Sequence, residues 1–232
     1  VTQNISGIRE IKSLGMFEDR FSRMINAVNE QENITVHIPN EDDYKQHKFE
    51  MYSHVGKKYL KKTLSDYVAS TDEQIKALDT VKNYISEILN NKNKTMWMCG
   101  TSGTGKTFLA AMIVRECGGY FVKSYQIADE IDDTKRFSSS ESKSMLIKRY
   151  SEYDLLVIDE IGKFDSTKGE IEYLFRILNE RYENELPTIL ISNKTKNELK
   201  DYIGKPLYDR FVETCTAIEF KGESYRKNER AS

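Results

Sequence analysis

Cysteine and histidine are scarce in this chain, and long apolar runs are missing. There are 3 cysteines and 3 histidines in 232 residues. Cys99, Cys117 and Cys215 lie far apart, form no C-x-x-C pair and have no histidine cluster beside them. That pattern argues against both a zinc site and a disulfide framework. No apolar run reaches transmembrane length and no signal-peptide pattern opens the chain, so a cytoplasmic protein with no membrane partner is expected. Because the chain opens on Val1, a preceding segment is left open. Net charge is also nearly absent, at −2, which argues against bulk coating of nucleic acid and leaves local patches. There are no repeats or low-complexity tracts apart from the serines at 138–140. The length allows one sizeable core plus an appendage.

Glycine, by contrast, is concentrated where chemistry needs it. Residues 100–107 read Gly-Thr-Ser-Gly-Thr-Gly-Lys-Thr, the G-x-x-x-x-G-K-[ST] pattern of a P-loop, or Walker A motif. Polyphosphate is best held by backbone N–H groups converging at a helix N-terminus. Gly100, Gly103 and Gly105 let the backbone approach closely, with Thr101, Ser102 and Thr104 between them. Lys106 supplies a point charge for the β and γ phosphates, and Thr107 places a hydroxyl on Mg²⁺. Thr95 to Cys99 reads as a buried strand. Phe108 to Glu116 reads as a helix, with Leu109, Met112 and Ile113 at helical spacing. Strand, glycine loop, helix is the setting this motif requires.

A second motif follows. Leu155-Leu156-Val157-Ile158 is continuously apolar, as a central parallel strand is, and it ends in Asp159-Glu160. Asp159 is expected at the carboxyl end of the strand, where open α/β sheets place their ligands, holding Mg²⁺. Glu160 is the candidate base that polarises the attacking water. Two adjacent acids suit ATP hydrolysis better than storage of nucleotide.

The remaining pattern predicts an α/β fold, a parallel sheet flanked by helices, behind a small helical module. In residues 1–40, Ile5, Ile8 and Ile11, then Phe17, Phe21, Met24, Ile25 and Val28, lie at helical spacing and form a partner-binding candidate. Residues 41–62 read as a lysine-rich linker. Lys45, Lys48, Lys57, Lys58, Lys61 and Lys62 alternate with Tyr52 and Tyr59, either a solvated face or a track for nucleic acid. Residues 63–232 form the nucleotide domain. Ser70-Thr71-Asp72-Glu73 resembles a capping box, opening a helix buried along Ile75, Leu78, Val81, Ile85 and Ile88. Strands are predicted at 120–123 and 188–193, and helices at 145–150 and around 171–178.

The order of these pieces resembles an AAA+ ATPase of the DnaC/IstB branch over roughly residues 48–228. The resemblance rests on Leu64-Ser65-Asp66-Tyr67 with Glu73 to Leu78, Tyr153 to Gly162, Ile191-Ser192-Asn193, Tyr208-Asp209-Arg210-Phe211 and Glu223-Ser224-Tyr225-Arg226. It implies ATP and Mg²⁺ as cofactors. It implies Asn193 as sensor 1 beside the attacking water, Arg210 as an arginine finger acting in trans on a neighbouring subunit, and Arg226 as sensor 2. Phe108, directly after the loop, is expected among the nucleotide-binding residues. The chain ends soon after Arg226, so on this reading the core lacks a full helical lid. The resemblance further implies a helicase loader that binds a hexameric replicative DNA helicase through the N-terminal helices and places it on single-stranded DNA. The alternative is an IstB-type ATPase that polymerises on duplex DNA and assists a transposase. A small-molecule kinase fits poorly, because Asp159-Glu160 with Asn193 and Arg210 provides neither acceptor pocket nor lid arginines. Lys135, Arg136 and Phe137 form a candidate contact with single-stranded DNA, or simply an exposed loop.

Overall fold

The computed structural model describes residues 41–134, 141–163 and 168–221, with backbone alone at 41, 168, 196 and 212–214. The chain divides between Asp43 and Tyr44, and the described residues lie almost wholly in the second unit. The module expected over 1–40, the loop at 135–137 and Arg226 fall outside the described residues.

Five parallel strands form the sheet in the order β2-β3-β4-β1-β5. These are β1 (Thr95–Gly100), β2 (Tyr120–Lys123), β3 (Leu156–Ile161), β4 (Thr188–Ser192) and β5 (Cys215–Phe220). The helices are α1 (Glu41–Tyr52), α2 (Asp72–Leu89), α3 (Lys106–Cys117), α4 (Ser124–Asp133), α5 (Lys143–Glu152), α6 (Lys168–Glu183), α7 (Lys196–Ile203) and α8 (Lys205–Thr214). Short 3₁₀ turns occupy Lys57–Tyr59 and Leu64–Asp66.

Apolar runs become central strands because each alternate residue has its own core to enter. Met96 and Met98 of β1, Val157 of β3 and Ile189 and Ile191 of β4 bury into one cluster, against α2 and α3. Trp97, Cys99, Ile158 and Leu190 bury into the other, against α4 to α8. At roughly 1.5–3 kcal/mol per fully buried large aliphatic side chain, these two cores hold the carboxyl ends of β1, β3 and β4 in line. Those ends carry the motif residues.

Three features differ from the sequence expectation. The stretch read as a linker contains α1, and from Phe49 onward it is packed on the nucleotide domain. Phe49 and Val55 are buried in the α2/α3 cluster, and the Phe121 amide donates to the Ser53 carbonyl at 2.8 Å. Tyr59 and Leu60 pack against the same cluster, so apolar residues spaced among the lysines fold the stretch down. The capping box of α2 lies one residue later than expected: the Gln74 amide donates to Thr71 Oγ1 at 3.3 Å, and the Thr71 amide to Gln74 Oε1 at 3.1 Å. Ile75 faces outward, 46% exposed, because it lies off the stripe formed by Ala77, Val81, Tyr84 and Ile85, which is the face that is buried. Finally, β5 is an edge strand that buries only Ile218 and Phe220, too sparse a signal to predict it.

Candidate nucleotide site

The loop from β1 to α3 has the backbone its glycines permit. Gly100, Gly103 and Gly105 have φ of 117°, 83° and 94°, a region L side chains rarely enter. At two of them space demands glycine as well. A Cβ on Gly100 would overlap the Phe220 carbonyl oxygen, and one on Gly105 would lie 2.7 Å from Tyr67 Cε2. The Phe220 carbonyl also accepts from the Thr101 amide at 3.0 Å and from Thr101 Oγ1 at 3.3 Å. Edge strand β5 thus pins the start of the loop. Gly100→Ala is expected to lower stability by about 2–3 kcal/mol; an unmoved urea unfolding midpoint would mean that β5 yields without cost.

Within the loop, Thr101 and Ser102 are exposed and Thr104 is buried, its Oγ1 donating to the Thr101 carbonyl at 2.8 Å. Lys106 is 5% exposed. Its Nζ donates to the carbonyls of Gly100 (2.7 Å) and Thr101 (2.6 Å), curled back over the loop. Burial pulls its pKa below the usual lysine value, against the opposing pull of Asp159. Phe108 packs with Tyr67 and Tyr59, ring centroids 5.9 and 6.1 Å away, which fixes the first turn of α3.

Thr107 Oγ1 donates to Asp159 Oδ2 at 2.9 Å, so the two motifs meet. Asp159 Oδ1 accepts from the Glu160 amide at 2.7 Å. Burial raises the Asp159 pKa, while the bonds from Thr107 and the Glu160 amide work the other way. A buried carboxylate beside a hydroxyl, with oxygen donors only, suits Mg²⁺. A bound cation would offset the desolvation that burial imposes on Asp159, so these residues fit the ion expected of them.

Glu160 leaves the strand geometry. The β3/β4 register shifts between Ile158 and Ile161, and Glu160 takes φ of 60°, uncommon for a residue with a side chain. The shift turns its carboxylate toward two lysines absent from the sequence reading. Lys163 Nζ lies 2.6 Å from Oε1, and Lys123 Nζ lies 3.5 Å from Oε2. Burial lowers the Lys123 pKa, but the Glu160 carboxylate and Tyr125 together outweigh it, and the net shift is upward. One signal could have revealed Lys123: it ends the strand next to β3, level with Asp159.

Asn193 directly follows β4 and is exposed. Its neighbour Ser192 is level with Cys99 of β1 and Ile161 of β3, so Asn193 stands at the carboxyl edge between the two motifs. Arg210 lies elsewhere. It projects from α8 onto α6, where its Nη1 donates to Asn179 Oδ1, and the same Nη1 lies 3.8 Å from Glu183 Oε1.

Residues 22–232 match the family model described as IstB-like ATP binding protein. The chain belongs to that family. Among relatives of this IstB-family chain, the replicative helicase loader DnaC of Escherichia coli strain K12 is 31% identical over 170 residues, 71% of this chain and 69% of that protein. An insertion-sequence protein named for ATP binding, from IS232 of Bacillus thuringiensis subsp. berliner, is 28% identical over 63% of this chain and 61% of its own length. Among solved structures, the crystal structure of the DnaC helicase loader matches with a TM-score of 0.65 at 20% identity, over 72% of this chain and all of that one. The fold of this family member is accordingly the AAA+ core, as the motif order implied. Among the described residues no helix is long and apolar enough to cross a membrane.

Proposed function

We propose that this protein is an ATP-dependent helicase loader. It binds a hexameric replicative helicase through residues 1–40 and helps to place it on single-stranded DNA, with ATP binding and hydrolysis as the switch. The observation that carries this reading is the 31% identity to a replicative helicase loader across 71% of the chain.

The residues divide the work. The loop amides of residues 100–107 and Lys106 hold the phosphates, and Lys106 exchanges the Gly100 and Thr101 carbonyls for phosphate oxygens. Thr107 and Asp159 would hold Mg²⁺, which when bound neutralises charge on the phosphates. Glu160 accepts a proton from the attacking water, and Asn193 orients that water. Arg210 reaches the γ-phosphate bound by a second copy of the chain and stabilises charge in the transition state. Arg226 contacts the nucleotide from the C-terminal side. The 28% identity to an insertion-sequence protein favours a second reading, an ATPase that polymerises on duplex DNA and assists a transposase.

The test is capture of the host's hexameric replicative helicase in ATP, by the full chain and by a chain lacking residues 1–40. Capture by the full chain alone is expected. Capture by neither, with ATP still bound and filaments forming on duplex DNA, would replace the loader with the transposition helper.

A further inference from the structure

Three groups on α6 surround the guanidinium of Arg210. Asn179 Oδ1 accepts from its Nη1. The Tyr182 ring lies under it, 5.5 Å from the guanidinium carbon to the ring centroid. Glu183 Oε1 lies 3.8 Å from Nη1. Asn179 is itself held, because its Nδ2 donates to Glu183 Oε1 at 2.8 Å, which turns the amide oxygen toward the arginine. The Arg210 side chain still keeps 42% exposure.

We infer that Asn179 is a positioning residue for catalysis in trans: with Glu183 it holds Arg210 in the pose presented to nucleotide on a second copy of this chain. The inference rests on the trans reading of Arg210 and adds the group that makes it effective. An exposed arginine has about 2 kcal/mol of rotamer entropy to lose on engaging a phosphate, and a finger already fixed has lost much of it beforehand. The choice of groups suits that task. Asn179 is neutral, so it orients the guanidinium without cancelling its charge. Glu183 is 62% exposed and sits beyond direct hydrogen-bond range of Nη1, so water screens its pull. The Tyr182 ring, within cation–π range at 5.5 Å, adds a further restraint on the guanidinium without removing its charge.

Complementation tests both layers. An Arg210→Ala chain retains its nucleotide site and lacks the finger; a Lys106→Ala chain lacks the phosphate lysine and donates the finger. Each alone should hydrolyse ATP slowly, and their mixture should recover turnover. Asn179→Ala is then placed on either chain. On the finger donor it should cut the recovered kcat by about tenfold, with the KM for ATP unchanged. On the Arg210→Ala chain it should change nothing. A merely structural role for Asn179 would affect both placements alike, and that result overturns the inference, as does full recovery with the altered donor. If the two parent chains fail to complement, the trans reading of Arg210 falls, and the seat falls with it.

Discussion

Glu160→Gln is expected to leave ATP bound and to slow phosphate release by roughly 10²- to 10⁴-fold, the usual contribution of a general base. The substitution preserves shape and a hydrogen-bond acceptor and removes the capacity to take a proton. It also removes the negative charge that engages Lys163 and Lys123, so nucleotide affinity should hold or rise, since two cations near the site gain phosphate as their alternative. Equilibrium binding of labelled ATP and steady-state phosphate release measure the two quantities separately. Unchanged turnover in the variant would remove Glu160 from the reaction and leave the strand bulge at this residue without a catalytic reason.

The location of that carboxylate was legible in the sequence, whereas its surroundings were not. Leu155 to Asp159 announces a buried strand because both faces of a central strand are apolar, and the glycine spacing at 100–105 announces a phosphate loop because few other backbones need glycine at those intervals. These signals are local. Lys123 and Lys163 reach Glu160 through strand adjacency and a register shift, which local pattern does not encode. Asn179 and Arg210 meet because α8 returns onto α6. Ile75 is a milder case: it stands at helical spacing from Leu78, but the buried stripe runs through Ala77, Val81, Tyr84 and Ile85 and leaves it outside. Edge strand β5 escaped notice with only two buried side chains, yet its last carbonyl decides why residue 100 is glycine.

Arg181 carries the largest expected effect on stability. It is fully buried at the end of α6, and its hydrogen bonds go to neutral oxygens. Its Nε donates to Thr188 Oγ1 at 2.9 Å, its Nη1 to the carbonyls of Tyr150, Ser151 and Tyr153, and its Nη2 to Pro187 at 2.7 Å. Burial lowers its pKa to about 10, with Tyr84 and Asp154 opposing the fall, so it remains charged at neutral pH. Arg181→Ala takes the donors from five acceptors, four of them buried, and leaves a cavity where α5, α6 and β4 converge. A loss of about 3–5 kcal/mol is expected, seen as a fall in Tm on the order of 10 °C for a domain of this size. A loss below about 1 kcal/mol would mean that water enters and satisfies those carbonyls. The consequence extends to Arg210. Asn179, Tyr182 and Glu183, which surround that arginine, lie within two residues of Arg181 on the same helix end. A buried arginine therefore fixes the helix end on which an exposed one is seated, and Arg181→Ala should weaken complementation from the finger-donating chain even at temperatures where that chain remains folded.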